Sequence, residues 1–186
     1  MLTEQQIIHF QTFGFLVFRG VFTPAELTTL NAEFEGAMES AYRHAPYDGT
    51  RRHWVTMMRP DTPFFARLLE DPRFCEVTEQ LYGEDVFAVV SDANRYVGNT
   101  GWHPDHHADT SIDCYGVKFA YYLQPVDANS GALRVIPGSH KNPLHTELRQ
   151  NMSKFGLDIC DVPGYVCESD PGDVVAFDLR LWHASW

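Results

Sequence analysis

The sequence lacks several features that mark common protein classes. Its four cysteines contain no C-x-x-C pair, which argues against a disulfide framework or a cysteine-bound zinc site. No apolar run approaches the roughly 20 residues that a membrane-spanning helix needs. The first ten residues also lack the basic and then apolar pattern of a signal peptide. We therefore expect a cytoplasmic protein that does not enter a membrane.

Positive charge is scarce as well. Lys and Arg number 14 against 25 Asp and Glu, so the formal net charge is −11, which disfavours nucleic acid and anionic membranes as partners. A nucleophile elbow, a Walker loop and a dinucleotide fingerprint are all missing, so a serine hydrolase or a nucleotide-binding protein has no support. Hydrophobic residues make up 44% of the 186, which predicts a globular domain. Nothing in the sequence indicates the oligomeric state.

The first third of the chain predicts helices with one early strand. Thr3 and Gln6 form a capping-box pattern at the start of a short helix. Residues 13–22 are apolar and aromatic, which favours a strand. A second helix start, with a hydroxyl, a proline and a glutamate in order, lies at residues 23–26, and Asp71 with the following proline begins another helix.

The rest of the chain predicts short strands. Strand-like runs separated by Gly, Pro, Asn and Asp lie at residues 86–91, 117–123, 132–137 and 173–179. Strands in this arrangement, without alternating helices, favour an antiparallel barrel or jelly roll. Residues 44–61 and 141–165 are expected to be long loops.

The densest group of metal-binding residue types is GWHPDHHAD at residues 101–109. His103 and Asp105 form an H-x-D pair, and in an extended segment residues two apart point to the same side. His107 and Asp109 form a second such pair. The spacing alone therefore leaves two candidates for a joint imidazole and carboxylate site.

A third ligand must come from elsewhere in the chain, and His183, after a predicted strand, is the best candidate. Two histidines and one carboxylate on one face of an ion leave positions open for other ligands, as in non-haem Fe(II) oxygenases. A zinc ion on the same residues would instead favour hydrolysis.

Four segments carry a resemblance to the phytanoyl-CoA dioxygenase family of Fe(II)/2-oxoglutarate oxygenases. They follow in the family's order and are LTEQQIIHFQTFGFLVFRGVFTPAEL, WHPD, SGALRVIPGSHK and PGDVVAFDLRLWHAS. The resemblance implies a mainly β (α+β) fold, with N-terminal helices on a double-stranded β-helix (jelly roll, cupin-like) core. It implies one oxygenase domain over residues 1–186. The helical part would cover about 1–85, and the core about 86–186, without a C-terminal strand.

The resemblance assigns His103, Asp105 and His183 as ligands of Fe(II). The family motif has a tryptophan directly before its histidine, and Trp102 matches it, which favours His103 and Asp105 over the second pair. Related halogenases carry a small residue in place of the aspartate, so Asp105 favours hydroxylation or a related oxidation.

The resemblance also suggests contacts with 2-oxoglutarate, by Asn94, Thr100 and Ser185. For each, an ordinary role in a turn or strand is the alternative. The arginine that usually binds the far carboxylate of 2-oxoglutarate would lie beyond Trp186.

Four further residues are candidates for contact with a substrate: His106, His107, Arg134 and Trp54. His106 and His107 could equally be polar loop residues, Trp54 part of a solvated loop, and Arg134 a solvent-facing cation. His140, in a P-G-S-H turn, is expected to be structural.

The predicted function is a dioxygenase that oxidises a small molecule while 2-oxoglutarate and O2 become succinate and CO2. The alternatives are a cyclase, desaturase or epimerase that uses the same site, or a non-catalytic metal-binding jelly roll.

Overall fold

The computed structural model describes residues 1–107 and 115–186. Asp109, the carboxylate of the second H-x-D pair, lies outside the described residues. The chain divides into a first unit, Met1 with Phe22–Gly98, and a second unit, Leu2–Val21 with Asn99–Trp186. The expectation of one oxygenase domain with a boundary near residue 85 stays a prediction.

The described residues contain five α-helices and nine strands, besides two short 3-10 helices at Met152–Lys154 and Ile159–Asp161. The helices are α1 (Glu4–Phe13), α2 (Pro24–Ala41), α3 (Pro63–Leu68), α4 (Pro72–Tyr82) and α5 (Leu144–Asn151). The strands are β1 (Phe15–Phe18), β2 (His53–Thr56), β3 (Asp92–Arg95), β4 (Thr100–His103), β5 (Val117–Tyr121), β6 (Leu133–Val135), β7 (Tyr165–Cys167), β8 (Val174–Asp178) and β9 (His183–Ser185). In the described ranges, none of the helices has the length and apolar character needed to cross a membrane.

The helix starts follow the capping patterns of the sequence. The Thr3 hydroxyl accepts from the Gln6 N–H at 3.2 Å, and the Gln6 side chain accepts from the Thr3 N–H at 2.9 Å. Thr23 and Glu26 form the same reciprocal pair at the start of α2. Such pairs satisfy N–H groups that a helix leaves without partners at its start. The predicted helix starts are therefore confirmed.

The second unit contains two antiparallel sheets, in the orders β1-β8-β5 and β4-β9-β6-β7. Apolar side chains from both sheets pack into one cluster, which consists of Phe15, Leu133, Val135, Cys167, Val175, Phe177 and Leu181. The first unit carries the β2–β3 pair and helices α2 to α4. A mixed fold with antiparallel sheets is thus confirmed, whereas the double-stranded β-helix stays a prediction.

Three segments differ from their predicted structure. Residues 86–91 do not form the expected strand, since β3 begins at Asp92. Within this run Phe87 is 84% exposed and Val89 is 74% exposed, so apolar character did not lead to pairing or burial. The two predicted loops also contain regular structure: residues 44–61 include β2, and residues 141–165 include α5.

The PGSH turn joins the C-terminus of α1 to the second unit's sheets. The Gly138 N–H donates to the Phe13 carbonyl at 2.9 Å, and His140 Nε2 donates to the Gln11 carbonyl at 3.3 Å. These bonds satisfy carbonyls that the end of α1 would otherwise leave free. His140 is buried and has the structural role expected from its sequence position.

Gly14 ends α1 in a left-handed conformation, with φ at +85°, that disfavours any side chain. A Cβ at this position would lie 2.5 Å from His140 Nδ1 and 2.8 Å from Leu181 Cδ1. We predict that Gly14→Ala lowers the free energy of unfolding by about 2–5 kcal/mol, through backbone strain and overpacking. Urea denaturation measures the change in the free energy of unfolding.

Gly36→Ala is the matched control. Gly36 lies inside α2, and a Cβ there would meet nothing within 4 Å. We expect this substitution to raise the free energy of unfolding by about 0.5–1 kcal/mol, because alanine favours helix. Equal effects from the two substitutions would contradict the assigned role of Gly14.

Candidate metal centre

The pairing of β4 with β9 brings the first candidate residues together. His103 lies opposite His183, and Thr100 lies opposite Ser185, with an irregularity between them. Four residues of β4 therefore match three residues of β9, which is the arrangement of a β-bulge. In a regular strand, residues 100 and 103 would face opposite sides. The extra residue lets each of them pair with a residue on the His183 face.

Asp105 completes the group just beyond the end of β4. Its Oδ2 lies 3.9 Å from His183 Nε2, and the rings of His103 and His183 lie 4.4 Å apart. One ligand atom from each of the three residues lies within 4.8 Å of the others. The backbone N–H of His106 donates to the Leu179 carbonyl at 2.9 Å, which ties the aspartate segment to the chain between β8 and β9.

Backbone carbonyls fix the tautomers of both histidines. His103 Nδ1 lies 2.7 Å from the Gly101 carbonyl, and His183 Nδ1 lies 2.8 Å from the Leu181 carbonyl. A carbonyl only accepts, so each Nδ1 carries a proton, and Nε2 is the ring nitrogen left to bind a metal. A carbonyl partner on the second ring nitrogen is the usual companion of a metal-binding histidine.

His183 is nearly buried, with 5% of its surface exposed. Burial lowers the pKa of His183 below its ordinary value, so the imidazole is neutral at pH 7. The Phe177 ring packs against it, with 4.9 Å between ring centres. A neutral imidazole beside an apolar wall is the form that binds a metal ion.

The donor set fits a divalent transition metal. Two imidazole nitrogens and one carboxylate oxygen point into a shared space, and these are the donor types that non-haem Fe(II) oxygenases use. Three protein ligands leave coordination positions open for small molecules. The residues present therefore meet the chemical requirement that the sequence predicted.

The predicted co-substrate contacts fall in different parts of the chain. Thr100 and Ser185 are cross-strand partners, and Ser185 lies two residues from His183, so both share the His183 face. Asn94 belongs to β3 of the first unit, where its side chain accepts from Arg52 Nε at 2.7 Å and donates to Asp92. Trp54 lies opposite Asn94 on β2 and is 47% exposed. All four roles remain predictions.

His107 contacts a histidine that the sequence did not single out. Its Nδ1 lies 3.4 Å from Nε2 of His145, a buried residue of α5. His145 Nδ1 lies 3.0 Å from the Ser139 carbonyl and 3.1 Å from the Arg180 carbonyl, so it is a donor. The other ring nitrogen of His145, Nε2, faces His107. No local sequence pattern marks His145, since the pairing depends on how α5 packs.

Arg134 lies on the opposite face of its sheet from His183. Its partner across the strand pair is Ala184, whose side chain alternates with that of His183. The guanidinium carbon lies 3.7 Å from the centre of the Trp186 ring. Trp102 shares this face and donates from Nε1 to the Ile159 carbonyl at 3.0 Å. This position does not favour the predicted contact of Arg134 with a substrate.

Lys118 is a further charged residue at the site, beside Asp105. Its Nζ lies 3.1 Å from Asp105 Oδ2. The sequence gives one indication of this contact. Lys118 lies in the apolar run VKFAY, where a cation needs an anionic partner or access to water. The sequence could not show which of the two applied.

Comparison with known proteins places these features in one family. A family model described as phytanoyl-CoA dioxygenase matches residues 10–186. The ectoine dioxygenase of Bordetella bronchiseptica is 26% identical over 156 residues, which cover 75% of this chain and 50% of that protein. The chain spans about half the length of most of the curated relatives that it matches.

Two solved structures share the fold. HygX from Streptomyces hygroscopicus, with nickel and 2-oxoglutarate bound, is 22% identical at a TM-score of 0.75, over 100% of this chain and 81% of that one. EctD from S. alaskensis, with 2-oxoglutarate and 5-hydroxyectoine, is 22% identical at a TM-score of 0.73, over 99% of this chain and 70% of that one. Because the family model covers nearly the whole sequence, the chain belongs to the phytanoyl-CoA dioxygenase family.

Proposed function

We propose that this chain carries the active site of an Fe(II)/2-oxoglutarate-dependent dioxygenase that hydroxylates or otherwise oxidises a small molecule. The observation that carries the proposal is the convergence of His103, Asp105 and His183, with ligand atoms within 4.8 Å of one another. Membership of the phytanoyl-CoA dioxygenase family supports it. So do the solved relatives that contain 2-oxoglutarate.

In this proposal the three residues hold the iron, His103 and His183 through Nε2 and Asp105 through its carboxylate. The Gly101 and Leu181 carbonyls keep both rings oriented, so little reorganisation is needed when the metal binds. When bound, Fe(II) supplies the activation of O2, coupled to the decarboxylation of 2-oxoglutarate to succinate and CO2.

The other residues bind and orient the reactants. The Thr100 and Ser185 hydroxyls, on the His183 face, are suited to donate hydrogen bonds to a carboxylate, and Asn94 remains a third candidate. Phe177 helps to exclude water beside His183. His106, His107 and Trp54 remain candidates for substrate contact. We also propose that the two sheets of the second unit belong to a double-stranded β-helix, as the resemblance implies.

The outcome of the oxidation depends on which substrate atom is presented to the metal. Hydroxylation is the leading proposal, because Asp105 occupies the position that halogenases leave free. Cyclisation, desaturation and epimerisation use the same ligands and differ in substrate placement.

We predict that each of His103→Ala, Asp105→Ala and His183→Ala weakens Fe(II) binding by more than about 100-fold. Loss of an outer partner of a ligand already costs roughly 10–100-fold, so loss of a ligand should cost more. Anaerobic titration calorimetry measures the affinity. His107→Ala is the control and should bind iron nearly as well as the natural protein. If only His107→Ala lost iron binding, the metal site would have to be assigned to the second H-x-D pair instead.

We also predict that the chain, supplied with Fe(II) and O2, converts 2-oxoglutarate to succinate, and that Asp105→Ala abolishes this conversion. Succinate is measured by mass spectrometry and O2 uptake by an electrode. Zinc in place of iron should give no succinate, since zinc has no redox chemistry. If the iron-loaded chain binds 2-oxoglutarate but never forms succinate, with or without candidate substrates, the non-catalytic alternative is the better description.

A further inference from the structure

The β8–β9 turn, residues 179–182, contacts both parts of the candidate metal centre. The Leu179 carbonyl accepts from the N–H of His106, the residue directly after the ligand aspartate, at 2.9 Å. The Leu181 carbonyl lies 2.8 Å from Nδ1 of His183. A hydrogen bond of this kind orients a metal-binding imidazole. The direction of these two carbonyls therefore affects how the three candidate ligands face one another.

A buried histidine of α5, His145, holds the middle of this turn. Its Nδ1 lies 3.1 Å from the Arg180 carbonyl and 3.0 Å from the Ser139 carbonyl, and none of its surface is exposed. Both carbonyls only accept, so Nδ1 carries a proton and donates to them. His145 thus ties the β8–β9 turn to the PGSH turn from inside the protein.

Two more contacts join the same segments. The Ser139 hydroxyl accepts from the Trp182 N–H at 2.9 Å, so the PGSH turn holds the β8–β9 turn at a second point. Nε2 of His145 faces Nδ1 of His107, which follows the ligand aspartate by two residues, at 3.4 Å. That separation is longer than an ordinary hydrogen bond, so the bond to Arg180 is the stronger link between His145 and the centre.

We propose that His145 is a positioning residue of the metal centre, which acts through the β8–β9 turn and does not contact the metal. The Arg180 carbonyl belongs to the peptide unit next to the one that carries the Leu181 carbonyl. A donor that fixes the first therefore also fixes the direction of the second. The Leu181 carbonyl then orients His183. The inference rests on the proposed function, because it assumes a metal ion at the triad.

The test uses two amide side chains that reproduce different nitrogens of the imidazole. In His145→Asn the amide nitrogen takes the place of Nδ1 and still donates to the Arg180 carbonyl, whereas in His145→Gln it takes the place of Nε2. Calorimetry with Ni(II) on the full chain measures metal affinity without turnover. We expect His145→Ala and His145→Gln to weaken Ni(II) binding roughly 10–100-fold, the range for loss of an outer partner of a ligand. His145→Asn should retain most of the natural affinity.

His140→Ala is the control for the loss of a buried histidine. His140 is also buried and belongs to the PGSH turn, but its Nε2 donates to the Gln11 carbonyl of α1. Its loss should lower the free energy of unfolding of the metal-free chain, measured in urea, and leave Ni(II) affinity unchanged. Binding is measured at a temperature at which circular dichroism shows each variant to be folded.

The absorption spectrum of bound Co(II) gives a second readout, because it depends on the geometry of the ligands. His145→Asn should give the spectrum of the natural chain, and His145→Gln should shift its bands. A histidine that only stabilises the fold would change neither spectrum. If His145→Ala fails to fold, the comparison of the two amide variants decides the question alone.

The outcomes separate this inference from the proposed function. Equal Ni(II) affinities of His145→Asn and His145→Gln would overturn the inference, because the donor to Arg180 would then have no special role. Equal weakening in His145→Ala and His140→Ala would overturn it too, while the proposed function stands. If the natural chain binds Ni(II) no better than His183→Ala, the proposed function fails at its triad, and the inference fails with it.

Discussion

The antiparallel register between β4 and β9 determines where the candidate ligands lie. One extra residue in β4 sets His103 opposite His183 and still leaves Thr100 opposite Ser185, so the histidines and hydroxyls share one face. Asp105 then reaches His183 from the segment after β4, and the His106 N–H fixes that segment to Leu179. Two strands distant in sequence thus place three donor groups around a common point.

The two faces of this sheet have different roles. On the face of His183, both imidazoles have their Nδ1 bound to a carbonyl, and apolar side chains of the opposite sheet pack nearby. On the other face, Trp102 and Arg134 pack with Trp186, and Trp102 binds the backbone of a following segment. The alternation of a β-strand therefore separates side chains suited to chemistry from side chains that hold the sheet in place.

Local patterns predicted more of this molecule than patterns that depend on distant partners. The helix starts at Thr3 and Thr23 were predictable because a capping box uses residues three apart. The run at residues 86–91 was wrongly predicted as a strand, because apolar character does not supply a partner strand. The three candidate ligands, His103, Asp105 and His183, were predicted from the H-x-D motif and from the resemblance to the family. The Lys118 contact and the His107–His145 pair follow from how β5 and α5 pack, which the sequence does not encode locally.

The most direct test of this account is a crystal structure of the chain with Mn(II) or Fe(II), with the ion located by anomalous scattering. The account predicts one ion bound by Nε2 of His103, Nε2 of His183 and the carboxylate of Asp105, with the remaining positions open to solvent or a 2-oxo acid. An ion bound instead through His107, or through an Nδ1 atom of either histidine, would contradict it.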